Sequence, residues 1–198
     1  MNKTQQRQIA YAARDAQIDK AAASAEICQR LLSHAGYQAA HTAMWYVHCR
    51  SEVRTLPAIV AQLSGDKRIV VPYCTVDAAG EKQLGLWRLD ALDGLQAGMW
   101  NILEPPRERW LEPAKQVQAD ELDVVIVPGV AFDLQGGRLG NGAGYYDRLL
   151  QNVRPDTLLI GVCYQAQVLP QIEMQAHDVF MDLIVTEQAI YQGVGRRG

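Results

Sequence analysis

The sequence predicts an α/β fold: a three-layer α/β/α arrangement with a mostly parallel, Rossmann-like central sheet. Three observations predict it. Short, unbroken apolar runs recur, LDVVIV at residues 122–127 and LLIGVCY at 158–164 being the clearest; strands covered on both faces read this way. Helical stretches separate these runs, which is the alternation that builds parallel sheets. With 198 residues and 48% hydrophobic content, the chain can bury the core of one ordinary domain. No internal repeat divides it, so residues 1–198 read as a single domain, ordered to about residue 192 and ending in a loose GVGRRG tail.

The elements follow in order. Residues 3–14 predict a first helix, rich in Ala and Gln, on which Lys3 and Arg7 are four apart and share a face. A second helix covers about 19–35, where Ile27, Leu31 and Leu32 keep the helical period and Gly36 is the expected stop. Residues 42–47 (TAMWYV) predict a strand. Residues 51–63 predict a helix with Thr55 as N-cap and Pro57 in the first turn. Further strands are expected at 69–72, 84–89, 122–127, 158–164 and 183–185, with a helix opening at Tyr145. Between residues 90 and 120, Gly94, Gly98, Pro105, Pro106 and Pro113 predict a long irregular connection.

Composition excludes several classes. Lys and Arg total 19 against 22 Asp and Glu, a formal charge of −3, which argues against coating nucleic acid. The longest apolar runs are too short to cross a bilayer, and the polar N-terminus lacks a signal-peptide core. Cys28, Cys49, Cys74 and Cys163 form no CxxC pair and suit buried free thiols in a reducing compartment. A cytoplasmic monomer, with no membrane or nucleic-acid partner, is the expectation. His34, His41, His48 and His177 show no metal-ligand spacing.

The chemistry concentrates in residues 128–148, PGVAFDLQGGRLGNGAGYYDR, where Gly136, Gly137, Gly140, Gly142 and Gly144 fall within nine residues. Glycine lets a ligand approach the backbone closely. A glycine loop feeding a helix start offers N–H groups and a positive dipole end to phosphate. Arg138 can add a fixed charge, and Asp147 a hard oxygen ligand for Mg²⁺. A ligand-free glycine hairpin would read the same way. No GxxxxGK[ST] occurs, and no dinucleotide fingerprint fits, because some nine residues separate Val127 from Gly137.

GRLGNGAGYYDR resembles the signature of the 5-formyltetrahydrofolate cyclo-ligase family. Weaker matches run in the same order along the chain: Lys3 and Arg7, SEVRT at 51–55, WNILEP at 100–105, DVVIVPGVAFD at 123–133 and DVFMDLIVTE at 178–187. The resemblance implies an enzyme that uses ATP and Mg²⁺ to convert 5-formyltetrahydrofolate into 5,10-methenyltetrahydrofolate. In that chemistry the formyl oxygen attacks the γ-phosphate, N10 closes the ring, and phosphate leaves. By the same resemblance the nucleotide contacts are Lys3, Arg7, Arg138, Leu139, Gly140, Asn141, Gly142, Ala143, Gly144, Tyr145 and Tyr146. Arg138 and Tyr145 are the catalytic candidates. Val47, Glu52, Trp100 and Tyr145 would line the folate site, and Asp147 and Asp182 would hold the metal. Where some relatives carry lysine in the loop, this chain has Ala143, so Arg138, Mg²⁺ and the N-terminal helix must meet the phosphate charge.

Plainer readings stand beside these. Lys3 and Arg7 suit a solvated helix face, Asp147 a first-turn acid, and Val47 plain core. Asp182 lies in an apolar stretch, where an unpaired carboxylate is costly. The competing functions are a non-catalytic folate-binding or regulatory protein on the same scaffold and another enzyme of three-layer architecture.

Overall fold

The computed structural model describes residues 1–98, 101–176 and 178–197. Its main sheet joins seven strands: β1 (Thr42–Met44), β2 (Arg68–Val76), β3 (Lys82–Arg88), β6 (Val124–Pro128), β9 (Leu158–Val162), β10 (Leu183–Val185) and β11 (Ile190–Gln192), in the order β11-β10-β9-β6-β1-β2-β3. The five inner strands are parallel, and each edge strand, β3 and β11, pairs antiparallel with its neighbour. Two small hairpins complete the strands: β4 (Gln96–Ala97) with β5 (Leu103–Glu104), and β7 (Ala131–Phe132) with β8 (Arg138–Leu139). The α/β class with a mostly parallel sheet is therefore the observed one.

The alternation of side chains along each strand feeds two cores. Val124 and Ile126 of β6, with Ile160 and Val162 of β9, face α2 (Lys20–Ser33), α3 (Ala35–Ala39) and α4 (Leu56–Gln62). Val125, Val127 and Leu159 face the other way, onto Leu149 and Leu150 of α5 (Tyr145–Asn152). The first helix, α1 (Lys3–Ala16), joins neither layer. Its Ala10 packs with Val130, Ala131 and Leu139, over the β7–β8 hairpin. No helix among the described residues is long and apolar enough to cross a membrane.

Several boundaries differ from expectation for identifiable reasons. The second helix breaks at His34, two residues before Gly36. His34 Nδ1 accepts the Gly36 N–H at 3.1 Å and so caps the start of α3. Gly36 is needed for close packing, since a Cβ there would sit 2.7 Å from Leu158. The helix expected from residue 51 begins at Leu56. Thr55 occupies the N-cap position, but its Oγ1 donates to the Tyr46 carbonyl at 2.7 Å and makes no cap bond. Strand β2 runs on through Pro72. The Ile69 carbonyl accepts from Leu89 and the Val70 carbonyl from Trp45, so Pro72 turns to the β1 side, beyond the end of β1. No ladder donor is required there.

The tail is anchored as far as it is described. Gly193, Val194 and Gly195 donate backbone N–H groups to Asp182, Gln135 and Met181. The Arg196 guanidinium donates to the carbonyls of Val153, Pro155 and Thr157.

Candidate active site

Strand β1 pairs with β2 on one side and β6 on the other. From that pair the chain order runs outward in opposite directions, which opens a crevice beyond the carboxyl ends of β1 and β6. A cleft lies there. Tyr46, Val47, Cys49 and Glu52 line it from the segment after β1, Pro128 and Gly129 from the end of β6, and Pro72, Tyr73 and Cys74 from β2. The glycine loop and the start of α5 close the remaining side.

The interval that excluded a dinucleotide fingerprint is filled by the β7–β8 hairpin. Asp133, 3% exposed, holds its tip: Oδ1 accepts from Gln135 and Gly137 at 3.0 and 2.8 Å, and Oδ2 accepts from Ile172 at 2.7 Å. Gly136, at φ +93°, lies so close to Met181 that a Cβ would fall 2.3 Å from its carbonyl oxygen. After β8 the chain passes through residues 140–144 into α5. Gly144 is the N-cap at φ +76° and supplies no side chain to the helix end, so the first-turn N–H groups stay available to an anion.

Apart from Arg138, the expected nucleotide residues separate into three groups. Gly140, Asn141, Gly142, Ala143, Gly144, Tyr145 and Tyr146 line the cleft. Arg7 reaches the loop from α1, its Nε donating to the Gly140 carbonyl at 2.9 Å. Lys3 and Leu139 point elsewhere. Lys3 Nζ pairs with Asp178 at 3.3 Å, and the Leu139 side chain, 2% exposed, packs in the core beneath α1.

Arg138 and Asp147 are brought into direct contact as an ion pair. The guanidinium is 6% exposed, lies 5.8 Å from the Tyr146 ring centroid and donates to the Pro128 carbonyl at 3.4 Å. Packed this way, it is a pre-positioned charge at the cleft wall. Burial pushes the Tyr146 hydroxyl well up. The Tyr145 hydroxyl is raised first by desolvation and then by the neighbouring Cys74 thiol.

Asp182 does not join Asp147: contrary to expectation, the two acids do not share one metal site. Asp182 precedes β10, at the opposite end of the parallel strands from the cleft. Its Oδ2 accepts the Leu159 N–H at 2.7 Å while its own N–H donates to the Leu159 carbonyl. That pairing is how its carboxylate is satisfied in an apolar stretch. Among the described residues, no group of three or more His, Cys, Asp or Glu side chains could hold a metal ion.

On the folate side, Val47 is both buried, at 6% exposure, and part of the cleft wall. Glu52 accepts the Cys49 N–H at 3.0 Å and lies 3.9 Å from Arg14. Burial raises its carboxyl above the ordinary range; the Cys49 N–H and the Arg14 charge counteract that rise. Trp100 and His177 lie outside the described residues.

Sequence reasoning missed Tyr11 and Arg14. The Tyr11 hydroxyl donates to Asn141 Oδ1, and Arg14 lies against Ser51 and Glu52. Arg7, Tyr11 and Arg14 recur at i, i+4 and i+7, one helix face, so this signal was present in the sequence. Cys49, Cys74 and Glu104 also line the cleft. Their contributions come from three separate segments; of the three, only Glu104 falls in a segment, WNILEP at 100–105, that carried a family match.

The cleft is lined by the glycine loop, the start of α5 and Arg138, with Arg7 held on the loop, and also by aromatic and apolar side chains and the largely buried Glu52 carboxylate. It can place a phosphate chain beside a flat heterocycle bearing N–H donors. Residues 2–187 match the model of the 5-formyltetrahydrofolate cyclo-ligase family. A 5-formyltetrahydrofolate cyclo-ligase of Mycolicibacterium smegmatis is 34% identical over 141 residues, covering 71% of each chain. A probable 5-formyltetrahydrofolate cyclo-ligase of Schizosaccharomyces pombe is 27% identical over 186 residues, covering 86% of this chain and 87% of its own. The solved structure of Aquifex aeolicus 5,10-methenyltetrahydrofolate synthetase superposes with a TM-score of 0.80 at 29% identity, covering 97% of this chain and 93% of that one. With the family model spanning nearly the whole sequence, and the signature loop lying at the crevice where this sheet topology binds ligands, the chain belongs to the 5-formyltetrahydrofolate cyclo-ligase family.

Proposed function

We propose that this chain is a 5-formyltetrahydrofolate cyclo-ligase that couples ATP consumption to formation of 5,10-methenyltetrahydrofolate. The observation that carries the reading is that one cleft is lined by the glycine loop, Arg138 and Glu52 together. Formyl oxygen is a poor leaving group. Its attack on the γ-phosphorus releases ADP and phosphorylates the oxygen, leaving an iminium-like carbon. N10 then attacks that carbon and gives up its proton, and the C–O bond breaks with phosphate as leaving group. No protein nucleophile is required; the protein aligns the reactants and neutralises phosphoryl charge.

Within this reading, the loop amides, Arg7 and Arg138 receive the triphosphate. Glu52 accepts pterin N–H donors, Val47 and Tyr145 wall the ring, and Tyr145 borders the reacting groups. Asp147 would hold Mg²⁺, since such sites need only one or two protein carboxylates. Bound there, the metal would supply charge neutralisation on the transferring phosphoryl group. The free thiols support a cytoplasmic, reducing setting, and we take the working unit to be the monomer.

The test is optical: protein, 5-formyltetrahydrofolate, Mg²⁺ and ATP are mixed, and methenyl absorbance is followed. Product dependent on ATP is expected. Tight folate binding without product would instead identify a binding protein on this scaffold.

A further inference from the structure

Among the groups around the cleft, Arg14 is an arginine that the proposed chemistry does not use. It sits on α1 with its side chain 7% exposed, where an unpartnered guanidinium would be costly. Its Nε donates to Ser51 Oγ at 3.0 Å, and its Nη1 lies 3.9 Å from Glu52 Oε1. Ser51 in turn donates to Asp15, so consecutive residues of α1 grip the turn that carries Glu52. The guanidinium also lies 5.1 Å from the centroid of the Tyr11 ring, whose hydroxyl reaches Asn141 of the glycine loop.

We propose that Arg14 is a positioning residue for folate: from α1 it fixes the Glu52 carboxylate in the orientation and charge state that the pterin N–H donors require. The inference rests on the reading of Glu52 as the folate acceptor. The groups facing Glu52 are Arg14 from α1, Cys49 and Arg50 from its own turn, Tyr46 beyond β1 and Tyr146 from α5. The Cys49 thiol is pushed up to about 11, chiefly by burial, and both tyrosines lie well above their ordinary range. Of this group, Glu52 is therefore the acid whose charge responds to its surroundings below neutral pH, its carboxyl being raised above the ordinary range. Burial works against its ionisation, while the Cys49 N–H, Arg14 and Arg50 favour it. An opposite charge at this range holds a carboxyl down by about one unit or more.

The experiment measures 5-formyltetrahydrofolate affinity by calorimetry, without nucleotide, from mild acid to neutral pH. Thermal unfolding is recorded in parallel to restrict comparison to folded protein. Wild-type affinity is expected to fall as Glu52 protonates. In Arg14→Met the acid limb should move upward by about one pH unit, and in Arg14→Lys, which keeps the charge, it should return most of the way. An Arg14→Met limb coincident with wild type, while Glu52→Gln binds folate weakly, overturns the inference and leaves the Glu52 reading standing. Glu52→Gln binding folate as tightly as wild type overturns the Glu52 reading itself, and the inference with it.

Discussion

The Nε of Arg7 donates to the carbonyl oxygen of Gly140 at 2.9 Å, tying α1 to the loop assigned to phosphate. Lys3, one turn earlier, is tied instead to Asp178. The two residues should therefore differ in consequence. Arg7→Ala removes a charged hydrogen bond worth about 1.5–3 kcal/mol and should raise the KM for ATP by roughly ten- to a hundredfold. Lys3→Ala should change it much less. Steady-state kinetics at saturating folate will check the order, and equal effects would reject it.

Arg138 and Asp147 neutralise each other across the cleft wall. Arg138→Ala should lower kcat by about 10²–10³-fold, the size of effect seen when a preorganised charge partner is removed, with the fold retained by circular dichroism. Asp147→Asn should raise the Mg²⁺ concentration needed for half-maximal rate. An unchanged metal titration would take Asp147 out of the metal site.

Asp182 and Gly136 serve the scaffold. Asp182→Ala forfeits the bond to the Leu159 N–H and should cost about 1.5–3 kcal/mol of stability with the Mg²⁺ titration unmoved. Gly136→Ala meets both a positive φ and the Met181 carbonyl, and should destabilise by more than about 1 kcal/mol. Denaturant unfolding reads both. A shifted Mg²⁺ requirement in Asp182→Ala would restore that residue to the metal site.

Much of the fold was legible because its signals are local. Leu183–Val185 and the helix opening at Tyr145 match the expected bounds, since a short apolar run and a glycine N-cap are read from adjacent residues. Strand β11 and the two small hairpins gave no such run. Strand β11 exists because β10 offers it an open hydrogen-bonding edge, and each hairpin because its two short strands pair with each other. The tail looked loose for the same reason: the carbonyls that hold Arg196 come from residues 153–157, far off in sequence.

The candidate site divides in the same way. The amino-acid sequence by itself determined the glycine loop, its arginine and aspartate, and the family to which they belong, because backbone freedom and charge are properties of adjacent residues. Only the tertiary structure decided that Asp182 lies at the far end of the strands and that Arg14 stands behind Glu52. Both depend on which strand ends the sheet order brings together and on how α1 lies across them. Those placements arise from contacts between distant segments, and a linear pattern of residue types does not encode distance.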